Sequence, residues 1–243
     1  MIVFVHGVPE TAALWDKVRA AIGRPSVALS MPGFGTPRPD GFGATKDDYV
    51  AWLRGELDRI DEPIDLVGHD WGAGITYRIA TAFGDGLRSW AADVGNILHP
   101  DYVWHDFAKI WQTPGEGEAF FEAQNGQSPE ERGAIFEAFG VGHDDAVAMA
   151  GWSDDVMAGC ILDLYRSATP NPHSDWKHQW GPTAAPGLVL HPTEDPFGDE
   201  SMAAEVASTL GARIETLEGL GHWWALQDPG ASAAALTRFW DSL

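Results

Sequence analysis

The feature of this chain with the clearest chemical potential is a five-residue turn with glycine at both ends, Gly68-His69-Asp70-Trp71-Gly72. The same Gly-x-x-x-Gly turn with serine at its centre presents a nucleophile between a strand and a helix. Aspartate changes the chemistry, because a carboxylate that attacks a saturated carbon forms an ester that water can later cleave. The turn therefore predicts opening of a C–O or C–halogen bond, and not cleavage of a peptide or carboxylic ester.

The residues on either side of this turn have the patterns of a strand and a helix. Ile64 to Val67 is a short, mostly apolar run, and Ala73 to Phe83 has apolar residues at helical spacing. The flanking glycines allow a strained backbone and close contact between strand and helix. A simpler interpretation stays open, in which Asp70 only caps the following helix.

Two loops near the end of the chain carry a histidine and an acid. His222 follows a strand-like run in Gly219-Leu220-Gly221-His222-Trp223, and Asp195 follows another in Glu194-Asp195-Pro196-Phe197. A histidine can deprotonate water, and a carboxylate behind it fixes its tautomer. Nucleophile, acid and histidine occur in this chain order in enzymes that use the turn. We predict Asp195 as the acid, with Glu194 and Asp93 as rivals.

A third turn, His6-Gly7-Val8-Pro9-Glu10, follows the first strand-like run. The backbone N–H groups of Val8 and Trp71 are predicted to form an oxyanion hole for the ester of Asp70. His6 and His69 are expected to hold loops by hydrogen bonds. No histidine, cysteine or acidic spacing typical of a metal site occurs, so neither a metal nor a cofactor is predicted.

Composition limits the range of partners. The chain has 243 residues, 44% of them hydrophobic, and a formal net charge of −21. That charge argues against nucleic acid and anionic membranes, which favour clustered Lys and Arg. Cys160 is the one cysteine, and no apolar stretch approaches the ~18 residues of a membrane span or the pattern of a signal peptide. We expect a cytoplasmic protein; the sequence does not indicate its oligomeric state.

Strand-like and helical segments alternate, which predicts an α/β fold with a mostly parallel sheet and helices on both faces. The alternation breaks at residues 97–181, where only helices are predicted, near Tyr102–Trp111, from Ser128 and over Ser153–Ser167. We interpret this segment as a lid on a core of residues 1–96 and 182–243. The predicted strands are Ile2–Val5, Ser26–Leu29, Ile64–Val67, Ser89–Val94, Leu188–Leu190 and Arg213–Leu217, and the core helices are Ala13–Ile22, Lys46–Ile60, Ala73–Phe83, Met202–Leu210 and Ala231–Leu243.

Together these motifs, in this order, resemble α/β-hydrolases of the epoxide hydrolase and haloalkane dehalogenase group, over nearly the whole chain. The resemblance implies that Asp70 is the nucleophile, Asp195 the orienting acid and His222 the base, with a helical lid inserted into the core. One departure is the start of the chain. The family usually has a strand hairpin before the His-Gly strand, whereas here that strand begins at Ile2.

The position that would handle the leaving atom favours the epoxide hydrolase branch. Dehalogenases of this group typically have asparagine where Val8 stands. The segment Leu164-Tyr165-Arg166-Ser167 resembles the one that supplies a lid tyrosine, whose hydroxyl donates to the epoxide oxygen. The family's second lid tyrosine is replaced by Phe107 in our alignment. His105 or Tyr102 substitutes for it, or Tyr165 acts alone.

The sequence therefore predicts a hydrolase that opens an epoxide to a vicinal diol through an ester on Asp70. Its substrate is expected to be small and apolar or aromatic, in a pocket that includes His105, Phe107, Trp111 and Trp223. One alternative is a haloalkane dehalogenase, in which Trp71 and Trp111 would hold the halide. Another is a non-catalytic homologue that only binds ligands.

Overall fold

A computed structural model describes all 243 residues, and six parallel strands form a single sheet. The strand order is β2-β1-β3-β4-β5-β6, and every pair of neighbours is parallel. The strands are β1 (Ile2–Val5), β2 (Ser26–Leu29), β3 (Ile64–Gly68), β4 (Leu87–Ala92), β5 (Gly187–Pro192) and β6 (Arg213–Leu217).

Twelve α-helices accompany the sheet: α1 (Asp16–Ile22), α2 (Lys46–Leu57), α3 (Trp71–Phe83), α4 (Asp106–Gln112), α5 (Glu116–Glu122), α6 (Pro129–Ala138), α7 (His143–Trp152), α8 (Asp155–Arg166), α9 (His173–Trp176), α10 (Glu200–Leu210), α11 (Trp224–Gln227) and α12 (Pro229–Asp241). Short 3-10 helices cover Ala12–Trp15, Gly84–Gly86, Gly95–Leu98 and Lys177–Gln179. None of the helices is both long and apolar enough to cross a lipid bilayer.

Both faces of the sheet are covered, which explains why its central strands are apolar runs. Alternate residues of β1 enter two different cores: Val3 and Val5 belong to the core with α2, α3 and α10, whereas Ile2 and Phe4 belong to the core with α1 and α12. The period of two along an extended strand produces this division. The predicted α/β fold, with helices on both faces of a parallel sheet, is confirmed.

Several predicted element bounds match the structure, and others were wrong. Strands β1, β2 and β6 have their predicted bounds, but β4 ends at Ala92 and not at Val94. Val94 has a φ of 39°, so the chain has already left the extended conformation there. Helix α2 ends at Leu57, before the predicted Ile60, whose N–H donates to the Leu57 carbonyl in a tighter turn.

The segment between β4 and β5 contains helices and no strand, as its composition predicts. We call α4 to α9 the helical insertion. Its helix α6 begins after the predicted cap Ser128, whose side chain accepts from the Glu131 N–H. Helices α5, α7 and α9 were not predicted, because their short sequences carry little apolar periodicity.

Candidate active site

Asp70 lies in a strained turn between the end of β3 and the start of α3. Its φ and ψ are 51° and −117°, a region that non-glycine residues rarely occupy. A Cβ atom on Gly68 would overlap the Gly72 carbonyl group, and one on Gly72 would overlap the backbone carbonyl of Val5. The side chain of Asp70 makes no capping hydrogen bond to α3. Helix capping therefore does not account for Asp70. The strained backbone directs its carboxylate away from the start of α3.

The carboxylate of Asp70 is held at one oxygen. Oδ1 accepts a hydrogen bond of 2.8 Å from the Val8 N–H, one of the two predicted oxyanion donors. The backbone N–H of Trp71 makes no hydrogen bond to this carboxylate. Burial raises the pKa of Asp70 from 3.8 to about 6, against the opposing attraction of His222 and His69. Asp70 is therefore mainly ionised at neutral pH, with Oδ2 left to react.

His222 faces Asp70 and is held from behind by Asp195. The Nδ1 atom of His222 is 3.0 Å from Asp195 Oδ2, and its Nε2 atom is 3.9 Å from Asp70 Oδ2. The other oxygen of Asp195 accepts from the Phe197 N–H at 2.9 Å. Burial acts to lower the pKa of His222, but the Asp195 carboxylate raises it above its usual value. Nε2 is thus aimed at the space over the Asp70 carboxylate.

The two rival acids lie elsewhere. Glu194 is exposed and makes no contact with the His222 ring. Asp93 is fully buried and accepts hydrogen bonds from the His69 ring, the Trp224 indole and the Asp70 backbone N–H. Asp93 therefore supports the turn that holds Asp70, and Asp195 is the acid in contact with His222.

A buried charged cluster, Glu10-His69-Asp93, lies beneath the Asp70 turn. Burial acts to lower the pKa of His69, but Asp93 and Glu10 together raise it well above its usual value, which favours the imidazolium form of the ring. Although burial alone would raise the pKa of Glu10, the charge of His69 lowers it to about 2. Glu10 also accepts from the Gly7 N–H at 2.8 Å and the Trp223 indole at 2.7 Å. The cluster therefore joins the Asp70 turn, the His6–Glu10 turn and the loop that carries His222.

Sequence patterns predicted part of this cluster. His69 and His6 do hold loops: the Nε2 atom of His6 accepts from the Met31 N–H at 3.0 Å. The charged state of His69 and the role of Glu10 were missed. Glu10, His69 and His222 have ligand atoms within 4.8 Å of one another. The His69 Nε2 atom is already 3.1 Å from Glu10 Oε1, and Glu10 also accepts from the Gly7 N–H and the Trp223 indole.

A cavity of about 280 Å³ opens above Asp70 and His222. It is mostly apolar and is lined by 22 residues. The predicted site residues that line it are Val8, Asp70, His105, Phe107, Trp111, Tyr165, His222 and Trp223. Asp195 and Trp71 lie outside its wall. Trp71 is fully buried and stacks on Trp104 with ring centroids 5.7 Å apart.

His105 has a defined tautomer because it caps α4. Its Nδ1 atom accepts from the Ala108 N–H at 3.2 Å, so the ring proton is on Nε2. Burial lowers the pKa of His105 to about 4, with His222 adding to the effect. The ring lies 4.7 Å from Phe197 and 6.3 Å from Tyr165, between centroids. His105 is therefore a neutral N–H donor in the cavity wall.

Tyr165 also lines the cavity, next to the His105 ring. It is buried against Trp71 and Trp111, with centroid distances of 5.5 and 4.8 Å. Burial, followed by the nearby charge of Asp70, raises the pKa of Tyr165 well above its usual value. Its hydroxyl therefore keeps its proton. The indole nitrogens of Trp71 and Trp111 are both buried and have no hydrogen-bond partner.

Comparison with known proteins identifies relatives of this chain. A model of the alpha/beta hydrolase family matches residues 2–235. Epoxide hydrolase A of Mycobacterium tuberculosis is 25% identical over 290 residues, which cover 98% of this chain and 89% of that protein.

Solved structures resemble it in fold. They include epoxide hydrolase VrEH1 from Vigna radiata, with a TM-score of 0.80 and 16% identity, covering 100% of this chain and 91% of that one. Epoxide Hydrolase A from Mycobacterium thermoresistibile has a TM-score of 0.76 and 21% identity, with coverage of 100% and 91%. Haloalkane dehalogenase DbeA from Bradyrhizobium elkani has a TM-score of 0.75 and 19% identity, again covering 100% and 91%.

Proposed function

Because the chain belongs to the alpha/beta hydrolase family, we propose that it is a hydrolase that opens epoxides to vicinal diols through a covalent ester on Asp70. One observation carries the proposal: an ionised Asp70 faces the His222-Asp195 pair across 3.9 Å, at the floor of an apolar cavity. An aspartate nucleophile suits attack on a saturated carbon. Residues 97–181 act as the lid, and the substrate is small and apolar or aromatic.

In the first step, Oδ2 of Asp70 attacks a ring carbon of the epoxide. The C–O bond breaks, and its electron pair goes to the ring oxygen. The Tyr165 hydroxyl and the His105 Nε2–H both donate to this oxygen, and the Tyr165 proton passes to it and makes it a hydroxyl group. His105 thereby substitutes for the tyrosine that Phe107 replaces. Both side chains are neutral at pH 7, because burial raises the pKa of Tyr165 and lowers the pKa of His105.

In the second step, His222 takes a proton from water, and the resulting hydroxide attacks the carbonyl carbon of the Asp70 ester. Asp195 stabilises the imidazolium that forms. The Val8 N–H already contacts Oδ1 of Asp70 and would donate to the oxyanion, with Trp71 N–H as the second predicted donor. When this intermediate collapses, the ester C–O bond breaks, the leaving oxygen takes the proton from His222, and the diol is released. The new Asp70 carboxylic acid then gives its proton back to Tyr165, which restores both the carboxylate and the Tyr165 hydroxyl.

Haloalkane dehalogenation is a second candidate. The specific observation in its favour is the pair of buried, unpartnered indole N–H groups of Trp71 and Trp111, of which Trp111 lines the cavity and Trp71 packs against Tyr165 behind it. Two such donors suit a halide leaving group, and the same ester chemistry on Asp70 would follow. Val8, at the position where dehalogenases of this group typically have asparagine, favours the epoxide reaction.

The test is a product survey by mass spectrometry with a mixed pool of terminal epoxides, aryl epoxides and short haloalkanes. An Asp70→Asn variant is the matched control. Diols that form with the wild type and not with the variant would support the proposal, whereas alcohol and halide would select dehalogenation. Ligand binding with no product from either pool would support a non-catalytic homologue.

Isotope labelling tests the ester directly. When wild-type protein in excess turns over an epoxide once in H₂¹⁸O, the diol should contain ordinary oxygen from Asp70. The ¹⁸O should appear in the peptide that carries Asp70, because the water oxygen replaces a carboxylate oxygen during ester hydrolysis. Label in the first-turnover diol would refute a covalent intermediate.

A further inference from the structure

One face of α6 and its C-cap form a wall of the cavity. The wall residues are Glu131, Arg132, Ile135 and Phe136 of the helix and the C-cap Phe139, at the spacing of a single helical face. Phe136 and Phe139 contact Trp223, which follows His222, with ring centroids 5.2 and 5.7 Å apart. Arg132 lies one turn before Phe136, or ~6 Å along the helix axis at 1.5 Å per residue. Arg132 therefore lines the same cavity as Asp70 and His222, one turn away from the part of α6 that contacts Trp223.

Arg132 is a cation without a partner. It forms no ion pair, hydrogen bond or stacking contact with an aromatic ring, and its Nε atom is buried and unpaired. Every other arginine has at least one such contact: Arg19, Arg24, Arg38, Arg54, Arg59, Arg78, Arg88, Arg166, Arg213 and Arg238. In a chain with 36 acidic and 15 basic residues, a half-buried arginine that forms no ion pair is unusual. An unpaired buried guanidinium N–H costs free energy unless a ligand satisfies it.

Several residues shortly before Arg132 in the chain are polar, unlike most of the cavity wall. Gln124 and Gln127, in the loop that leads into α6, also line the cavity. Glu131 lines it too, but one of its oxygens accepts from the Ser128 N–H at 2.7 Å in the capping box. Much of the remaining wall is aromatic, with Phe107, Trp111, Phe120, Phe121 and Phe136. The cavity thus combines the reacting groups, an apolar wall and one arginine.

We propose that Arg132 binds a carboxylate of the substrate, so that the natural substrate is an epoxide with an apolar body and a carboxylate at its opposite end. This inference rests on the proposed function. A guanidinium can hold a carboxylate by two parallel, charge-assisted hydrogen bonds, and Gln124 and Gln127 offer further amide donors beside it. The apolar wall of the cavity would hold the part of the substrate that connects its epoxide to its carboxylate.

The test compares ω-epoxy alkanoates of increasing chain length with the matching primary amides, for the wild type and Arg132→Gln. The wild type should prefer the carboxylate in kcat/KM, most strongly at the length that spans the cavity. The preference should fall roughly 10- to 100-fold in Arg132→Gln, the range for charge-assisted hydrogen bonds. Arg132→Lys should keep part of it, because it retains the charge without the fork. An Arg59→Gln variant controls for the loss of one positive charge far from the cavity.

Binding measurements separate this inference from the proposed function. Calorimetry with saturated alkanoates and alkanamides of the same lengths needs no turnover, and Arg132→Gln should weaken alkanoate binding at least tenfold. Turnover of neutral epoxides such as styrene oxide reports on the proposed function alone. Equal kcat/KM values for carboxylates and amides at every length, or equal alkanoate binding by wild type and Arg132→Gln, would overturn the role of Arg132.

Discussion

Replacing Asp70 by Asn should stop turnover and at the same time stabilise the fold. The Asp70 carboxylate is a buried charge whose pKa is raised to about 6. Asn has nearly the same shape, and its Oδ1 atom can still accept from the Val8 N–H. The substitution therefore removes the cost of burying the charge and leaves the local hydrogen bond in place.

The size of the effect follows from the pKa difference. A shift from 3.8 to about 6, at 1.36 kcal/mol per unit, corresponds to about 3 kcal/mol. An acid with a raised pKa in the folded state is penalised where it is charged. The penalty is absent below pH 3.8, grows between 3.8 and 6, and is complete above pH 6. The stability advantage of Asp70→Asn should follow the same course.

The assay is urea unfolding of both proteins at pH 5, 6, 7 and 8, with Asp40→Asn as a control for the removal of one exposed negative charge. We expect the difference in free energy of unfolding to be largest at pH 7 and 8 and to shrink towards pH 5. The control should show a small difference that does not depend on pH. A less stable Asp70→Asn variant, or an advantage that stays constant across this range, would refute the reasoning.

Three further results are expected. His222→Gln should accumulate the ester, so that intact mass spectrometry shows the protein mass plus that of the epoxide; continued diol release would contradict the assigned base. Glu10→Gln should lower the free energy of unfolding at pH 7 by about 3 kcal/mol, because the pKa of Glu10 is lowered from 4.5 to about 2; the deficit should disappear as pH falls from 4.5 through 2, and a pH-independent deficit in urea unfolding would argue against the charge effect. Tyr165→Phe and His105→Phe should each reduce kcat/KM for diol formation by ~10²-fold, and an unchanged value in either variant would remove that residue as a donor.

Local patterns in the sequence were sufficient for the fold class and for predicting that the residues of the candidate site lie at one edge of the sheet. Apolar runs of period two or 3.6 report which backbone segments are buried, and this information is contained within a few neighbouring residues. Parallel strands then bring their carboxyl ends to one edge, so the Asp70 turn and the His222 and Asp195 loops were expected to meet. The family resemblance pointed to the same residues, and the matched family supports it. The ends of elements were predicted less well. The predicted end of β4 at Val94 was wrong because the backbone has already left the extended conformation at that residue.

Tertiary structure decided the properties that depend on distances between separate loops. Asp195 and Asp93 both follow strands, so the sequence alone did not distinguish them. In the structure Asp195 contacts His222, whereas Asp93 contacts His69. Packing also buried Glu10 beside His69, which sets the charge of both. Arg132 looks like an ordinary surface residue of α6 in the sequence, and only the fold of the helical insertion places it in a cavity wall without an ion-pair partner. Burial and pairing depend on the positions of residues distant in the chain, so no local pattern contains them.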